Sequence, residues 1–243
     1  LKEKTWVFST WDYTTMYLIE GEDKAVLIDT GTRCADLDKI VGQITGKPLE
    51  VIVTHMHPDH AGCIKYFDKV WMHRADTVLV PQHAADYQGE FLYMEEGQVF
   101  DLGGRKLEVA WMPGHTPGSV VLLDKANGDC YSGDAFGSGE VWLQCVPMSP
   151  IATFHESCCR MEKLMKEGHI KDIWCGHYPY LKSSLPLAYI QTMIRISHRL
   201  MNGDQEGSEP YSNYFIKMPP TARKLAEGRA MIVYDSTNIP EAR

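Results

Sequence analysis

Residues 51–63, VIVTHMHPDHAGC, hold three histidines and an aspartate within six positions: His55, His57, Asp59 and His60. Four titratable groups crowded into one turn cost desolvation and mutual repulsion unless something binds them. Imidazole nitrogen and carboxylate oxygen are ordinary zinc ligands, so a metal is the simplest binder. The run before them, LEVIVTH, is continuously apolar, the pattern of a strand buried on both faces. Functional groups of open α/β sheets collect just beyond the carboxyl ends of strands, and His55 stands at such an end. His57 lies two residues on and can point the same way, so this pair can grip one ion. Pro58 then bends the chain and leaves Asp59 and His60 for a neighbouring ion.

The same arrangement, an apolar run and then a polar ligand at a turn, recurs three times. His115 follows LEVAWMPG, Asp134 follows DCYSG and His177 follows IKDIWCG. Each comes directly after a glycine, which permits close backbone approach. A carboxylate that bridges two divalent ions is an Asp or a Glu, and Asp134 is the one offered. Five other histidines (His73, His83, His155, His169 and His198) lack this context and are read as surface or packing residues. Tyr178 and Tyr180 follow His177 and are placed to reach a substrate, and Phe136 and Trp142 to wall a pocket.

Elements must deliver these residues. Segments 5–10, 14–21 and 24–31 are short, rich in β-branched and aromatic residues and bounded by turns, as strands are. Leu37, Ile40, Val41 and Ile44 recur at helical spacing over 35–45, ahead of the buried strand 49–55. That strand–helix–strand rhythm points to a layered α/β fold. A short helix over 61–67 and a strand over 69–73 follow, and 75–95 shows no single pattern. Hairpins are expected over 98–116, about Gly103–Gly104, and over 119–136, turning at Asn127–Gly128. Helices are expected over 153–168 and 186–201, strands over 170–179 and 229–236, and a loop over 202–214.

Composition bounds the function. The chain has 243 residues, a formal net charge of −8 and 44% hydrophobic residues. An acidic chain is poorly suited to neutralising phosphates, so nucleic acid is not the expected partner and a small molecule is. No run approaches the ~18 apolar residues of a membrane span, and no signal peptide is visible. The seven cysteines are irregularly spaced, with no C-x-x-C; a reducing cytoplasm is expected and Cys158–Cys159 is read as packing. Residues 1–243 are read as one domain, with the part from 181 to 243 shaping the pocket.

THMHPDH, followed in order by PGHTPGS, SGD and CGH, resembles the metallo-β-lactamase-fold hydrolases over roughly residues 14–180. The resemblance implies a four-layer αβ/βα sandwich, with two mixed sheets and helices outside. It implies that His55, His57 and His115 hold a first metal, that Asp59, His60 and His177 hold a second, and that Asp134 bridges them. Asp29, in LIDTG, would brace the ligand loop. The implied cofactors are two divalent ions, zinc foremost, with manganese or iron as alternatives. Such a pair about 3.5–4 Å apart shares a water of lowered pKa, and the hydroxide attacks a carbonyl or phosphoryl centre. Asp59 would orient it, and Tyr178 is one option for protonating the leaving group. The motifs look closest to the glyoxalase II and lactonase branch, which favours ester, thioester or lactone hydrolysis. A phosphodiesterase, a β-lactam-type hydrolase and a mononuclear-iron persulfide dioxygenase are the alternatives.

Overall fold

Burial alternates along the first strands and sets the layering. Met16, Leu18 and Leu27 face one core, while Tyr17, Ile19, Val26 and Ile28 face another. A computed structural model describes residues 2–214 and 217–240. In chain order it runs β1 (Thr5–Ser9), β2 (Thr15–Glu20), β3 (Ala25–Ile28), α1 (Leu37–Gly42), β4 (Leu49–Ile52), α2 (Pro58–Ala61), β5 (Lys69–His73), α3 (Val80–His83) and β6 (Glu90–Met94). These six strands form one sheet in sequence order, antiparallel from β1 to β3 and parallel from β3 to β6.

The second half continues with β7 (Val99–Asp101), β8 (Lys106–Trp111), β9 (Val120–Asp124), β10 (Asp129–Gly133), β11 (Glu140–Trp142), α4 (Ile151–Lys166) and β12 (Asp172–Cys175). A five-stranded sheet of order β12-β10-β9-β8-β7 results, with β12 parallel to β10. Both expected hairpins are here, β7–β8 and β9–β10. The inner faces of the two sheets meet, Ile28 and Ile52 from the first beside Val109, Leu122 and Tyr131 from the second. Leu37 and Val41 of α1 cover the outer face of the first sheet. Phe154, Cys158 and Met161 of α4 cover the outer face of the second, so Cys158 packs as expected. This is the expected four-layer αβ/βα sandwich.

The last part is richer in strand than its sequence suggested. After α5 (Tyr178–Leu181) and α6 (Leu187–Met201) come β13 (Glu209–Pro210), β14 (Ala222–Glu227) and β15 (Ala230–Asp235). Together with β11 they make a third, four-stranded sheet of order β11-β15-β14-β13. Only β15 of these was expected. ARKLAE in β14 buries just Ala222 and Leu225 and leaves the remaining positions at least partly in solvent, so its pattern is too polar to announce a strand. The helix expected over 61–67 is instead the single turn of α2 and a 3-10 turn at Ile64–Tyr66. Among the described residues no helix is long and apolar enough to cross a membrane.

Candidate metal centre

The site forms where loops leave the strand ends of both sheets. From the first sheet come Asp29, one residue past β3, and His55, three residues past β4. Asp29 takes a left-handed conformation, φ 62°, and its N–H donates to Ile52 O at 2.8 Å. That turn buries the carboxylate to 1% exposure. Its Oδ1 accepts Thr54 N–H at 2.7 Å, and its Oδ2 accepts the Thr54 hydroxyl at 2.9 Å and His60 Nδ1–H at 2.8 Å. From the second sheet come His115, after β8, Asp134, after β10, and His177, after β12.

Among the described residues, two groups of donors gather here: His55, His57 and His115, and Asp59, His60, Asp134 and His177. All seven expected positions are therefore brought together. In the first group the rings stand nearly perpendicular, at 82° for His55–His57, 81° for His55–His115 and 88° for His57–His115. Their centroids lie 4.7–4.8 Å apart. In the second group Asp134 Oδ2 lies 3.2 Å from His177 Nε2 and 3.6 Å from His60 Nε2. The same oxygen is 4.0 Å from His115 Nε2, so it reaches across to the first group. Glycine is required at the contact: a Cβ on Gly176 would come within 2.5 Å of Asp134 Oδ1 and 2.6 Å of His60 Cε1.

Hydrogen bonds fix which imidazole nitrogen is free. The carbonyl of Trp142 can only accept, so His115 Nδ1 carries the proton at 2.8 Å and Nε2 keeps its lone pair. Asp29 accepts His60 Nδ1–H, which turns His60 Nε2 toward Asp59 and Asp134, each 3.6 Å away. The Thr54 hydroxyl gives its single proton to Asp29, so toward His55 Nδ1, 3.2 Å away, it accepts. His55 Nε2 is thereby left unprotonated. His55 Nε2, His60 Nε2 and Asp134 Oδ1 are buried with no hydrogen-bond partner. Buried polar groups without partners are rare, and imidazole nitrogens gathered with carboxylate oxygens suit a cation.

The two groups differ electrostatically. Burial and the neighbouring imidazoles push His55 well below the usual histidine range and His57 down to about 3. His115 is also lowered by burial, against the pull of Asp134. In the second group burial opposes charge, but Asp29, Asp59 and Asp134 hold His60 well above its ordinary value. The charge of Asp134, and hydrogen bonds to Asp134 and Asp59, push His177 up to about 10 against burial. Burial likewise raises Asp59 and Asp134, yet His60 and His177 keep both well below the usual carboxylate range.

Neighbouring residues fall less evenly. The ring of Tyr180, rather than that of Tyr178, lies 5.9 Å from His177, whereas Tyr178 packs 5.9 Å from Trp174. Phe136 does not wall the pocket: it is fully buried in the core with α4 and α6, and its carbonyl accepts Tyr189 OH at 2.7 Å. Trp142 borders the site through its carbonyl, and its ring lies 6.1 Å from Tyr211. Of the five histidines set aside, His73 stacks on Trp111, His155 and His198 neighbour each other between α4 and α6, and His169 lies 3.7 Å from Glu167. His83 differs. Its ring stands edge-on to His57 at 5.8 Å, so it belongs to the mouth of the site. Asp76 is also beside the site, buried beneath its loops. Both lie in the patternless segment 75–95, where no periodicity or motif marks them.

The metallo-beta-lactamase superfamily model matches residues 9–144. The chain belongs to that superfamily, and it is a metal-dependent hydrolase. Acyl-coenzyme A thioesterase MBLAC2 of Homo sapiens is 25% identical over 210 residues, covering 70% of this chain and 75% of the relative. Hydroxyacylglutathione hydrolase of Francisella philomiragia is 24% identical over 191 residues, covering 76% and 73%. Among solved structures, TTHA1623 in a di-iron-bound form matches with a TM-score of 0.61 and 26% identity, covering 75% of this chain and 95% of that one.

Proposed function

We propose that the chain is a dinuclear hydrolase of esters, thioesters or lactones. His55, His57 and His115 would hold one divalent ion, zinc foremost. Asp59, His60 and His177 would hold the other, and Asp134 would serve both. One observation carries this reading: Asp134 Oδ2 lies within 4.0 Å of imidazole nitrogens from both groups. The unpartnered Nε2 of His55 supplies the fit test, because its tautomer leaves a lone pair directed at no protein donor. A divalent pair bound there supplies Lewis acidity toward a carbonyl oxygen and activates water at neutral pH.

The protein's own residues do the rest. Asp29 orients His60 and, through Thr54, His55. Asp59 is the more open carboxylate of the second group, with its side chain 32% exposed against 16% for Asp134. It is therefore the one placed to accept a proton from attacking water and to orient it. His115 is held by Trp142 O from β11, so the third sheet helps to fix a ligand of the first group. Tyr211 OH donates to Glu140 at 2.9 Å and β15 pairs with β11. Both contacts support one domain over 1–243, with 181–243 bordering the pocket. The free thiols of all seven cysteines support a reducing, cytoplasmic setting.

Thioesters are favoured within the substrate class because one of the relatives is by name a thioesterase. The test is metal analysis paired with a hydrolysis screen over thioester, lactone and phosphodiester substrates. Two metal equivalents with turnover of a thioester or lactone are expected. A metal-loaded protein that turns over only the phosphodiester, or nothing, would overturn the substrate assignment.

A further inference from the structure

Asp76 sits in the 3-10 turn Arg74–Leu79 that follows β5, with 1% exposure. No cation faces it, yet its carboxylate is fully engaged. Oδ2 accepts Met56 N–H at 2.9 Å and the Thr116 hydroxyl at 3.0 Å, and Oδ1 accepts Gly118 N–H at 2.6 Å. These donors come from two loops far apart in sequence. Met56 is the residue between His55 and His57, and Thr116 directly follows His115. The loops carrying the first donor group thus meet on one buried carboxylate. Gly118 leaves room for it: a Cβ there would lie 2.6 Å from Asp76 Cγ.

Resting on the dinuclear reading above, we infer that Asp76 is a positioning residue that sets the metal affinity of the three-histidine group specifically. The physical reason is local. Pinning the Met56 amide fixes the backbone between His55 and His57, with the Met56 side chain fully buried in the core on the helix side of the first sheet. Both imidazoles then project to the same side. Pinning Thr116 and Gly118 fixes the turn that presents His115. A carboxylate offers acceptors on both oxygens, whereas an amide in its place turns an N–H₂ toward one of three donors. Loss of either anchor releases one loop against the other and blurs the mutually perpendicular rings. Asp29 bonds His60 of the second group directly and reaches His55 only through Thr54, whereas all three donors to Asp76 lie in the loops of the first group.

Zinc titration against a competing chelator, with zinc occupancy at each group read from anomalous diffraction, tests this. Wild-type protein is expected to take two equivalents. Asp76→Asn should weaken zinc at the three-histidine group by about 10–100-fold and leave the second group within about twofold. Thr116→Val removes one donor and keeps the carboxylate; it should give a loss of about fivefold at the same group. Should Asp76→Asn not fold, Thr116→Val carries the test alone. A merely structural role would weaken both groups together, and that result, or unchanged affinity at both, overturns the inference. Wild-type protein that binds no zinc overturns the dinuclear reading itself, which is a separate outcome.

Discussion

His57 and His177 belong to one site but titrate in opposite directions, the first driven down to about 3 and the second pushed up to about 10. The difference lies in what surrounds each. His57 is buried among other imidazoles, with Asp59 too weak an influence to reverse the shift. His177 is equally enclosed but faces two carboxylates. The first group is therefore neutral at pH 7 and ready to accept a cation. The second is an internally balanced set of two acids and two bases, which must give up protons before both imidazoles can bind metal. Asp76 lies beneath the loops of the first, and Asp29 sits behind His60 of the second while touching the first only through Thr54.

Removal of Asp134, proposed to serve both groups, should break the comparison most severely. Asp134→Ala should lower metal content and cut turnover by at least about a thousandfold, measured by metal analysis and by kcat on the best substrate. Unchanged activity would show that Asp134 serves neither group. Asp29→Asn should weaken the second group more than the first, by about 10–100-fold, in chelator competition. Equal losses at both groups would mean that the Thr54–His55 branch of its hydrogen bonds matters as much as the His60 branch.

pH separates the groups without mutation. Neighbouring carboxylates hold His60 well above its ordinary value and push His177 up to about 10, so metal uptake by the second group should release protons. Its affinity should rise with pH by up to roughly tenfold per unit for each proton displaced, and it should fall as pH drops. All three imidazoles of the first group are shifted below the ordinary histidine range, His57 down to about 3, so its affinity should vary less with pH from about 6 to 8 than that of the second. Calorimetry in buffers of different ionisation enthalpy counts the protons; no release would contradict the assignment of charge. A finer contrast concerns the two tyrosines. Tyr180, 58% exposed and beside His177, should respond to Tyr180→Phe with a several-fold change in KM. Tyr178→Phe should change KM less, because that ring packs on Trp174. A larger fall in kcat for Tyr178→Phe than for Tyr180→Phe would support Tyr178 as the leaving-group acid. His198→Ala, smallest of all, should leave both groups loaded.

The same contrast explains what could be read from sequence. The clustering of these donors was legible because His55, His115, Asp134 and His177 each follow an apolar run, as in VIVTH and IKDIWCGH. Asp29 was legible from LIDTG through its resemblance to the family's strand end. Asp76 and His83 were not, because 75–95 folds as single helical turns and a half-buried edge strand with no period. Phe136 was misplaced since adjacency to Asp134 says nothing about which side of the backbone a ring takes. The third sheet escaped notice because β14 is largely polar with no period-two alternation and β11 is three residues long. Long-range pairing, not local pattern, makes them strands.

The most direct test of the central claim is anomalous diffraction at the metal edge on crystals of metal-loaded protein, with each group refined separately. The account predicts two ions per chain, one among His55, His57 and His115 and one among Asp59, His60 and His177, with Asp134 contacting both. A single iron held by His55, His57 and either His115 or Asp134, with the second group still paired internally, would contradict it.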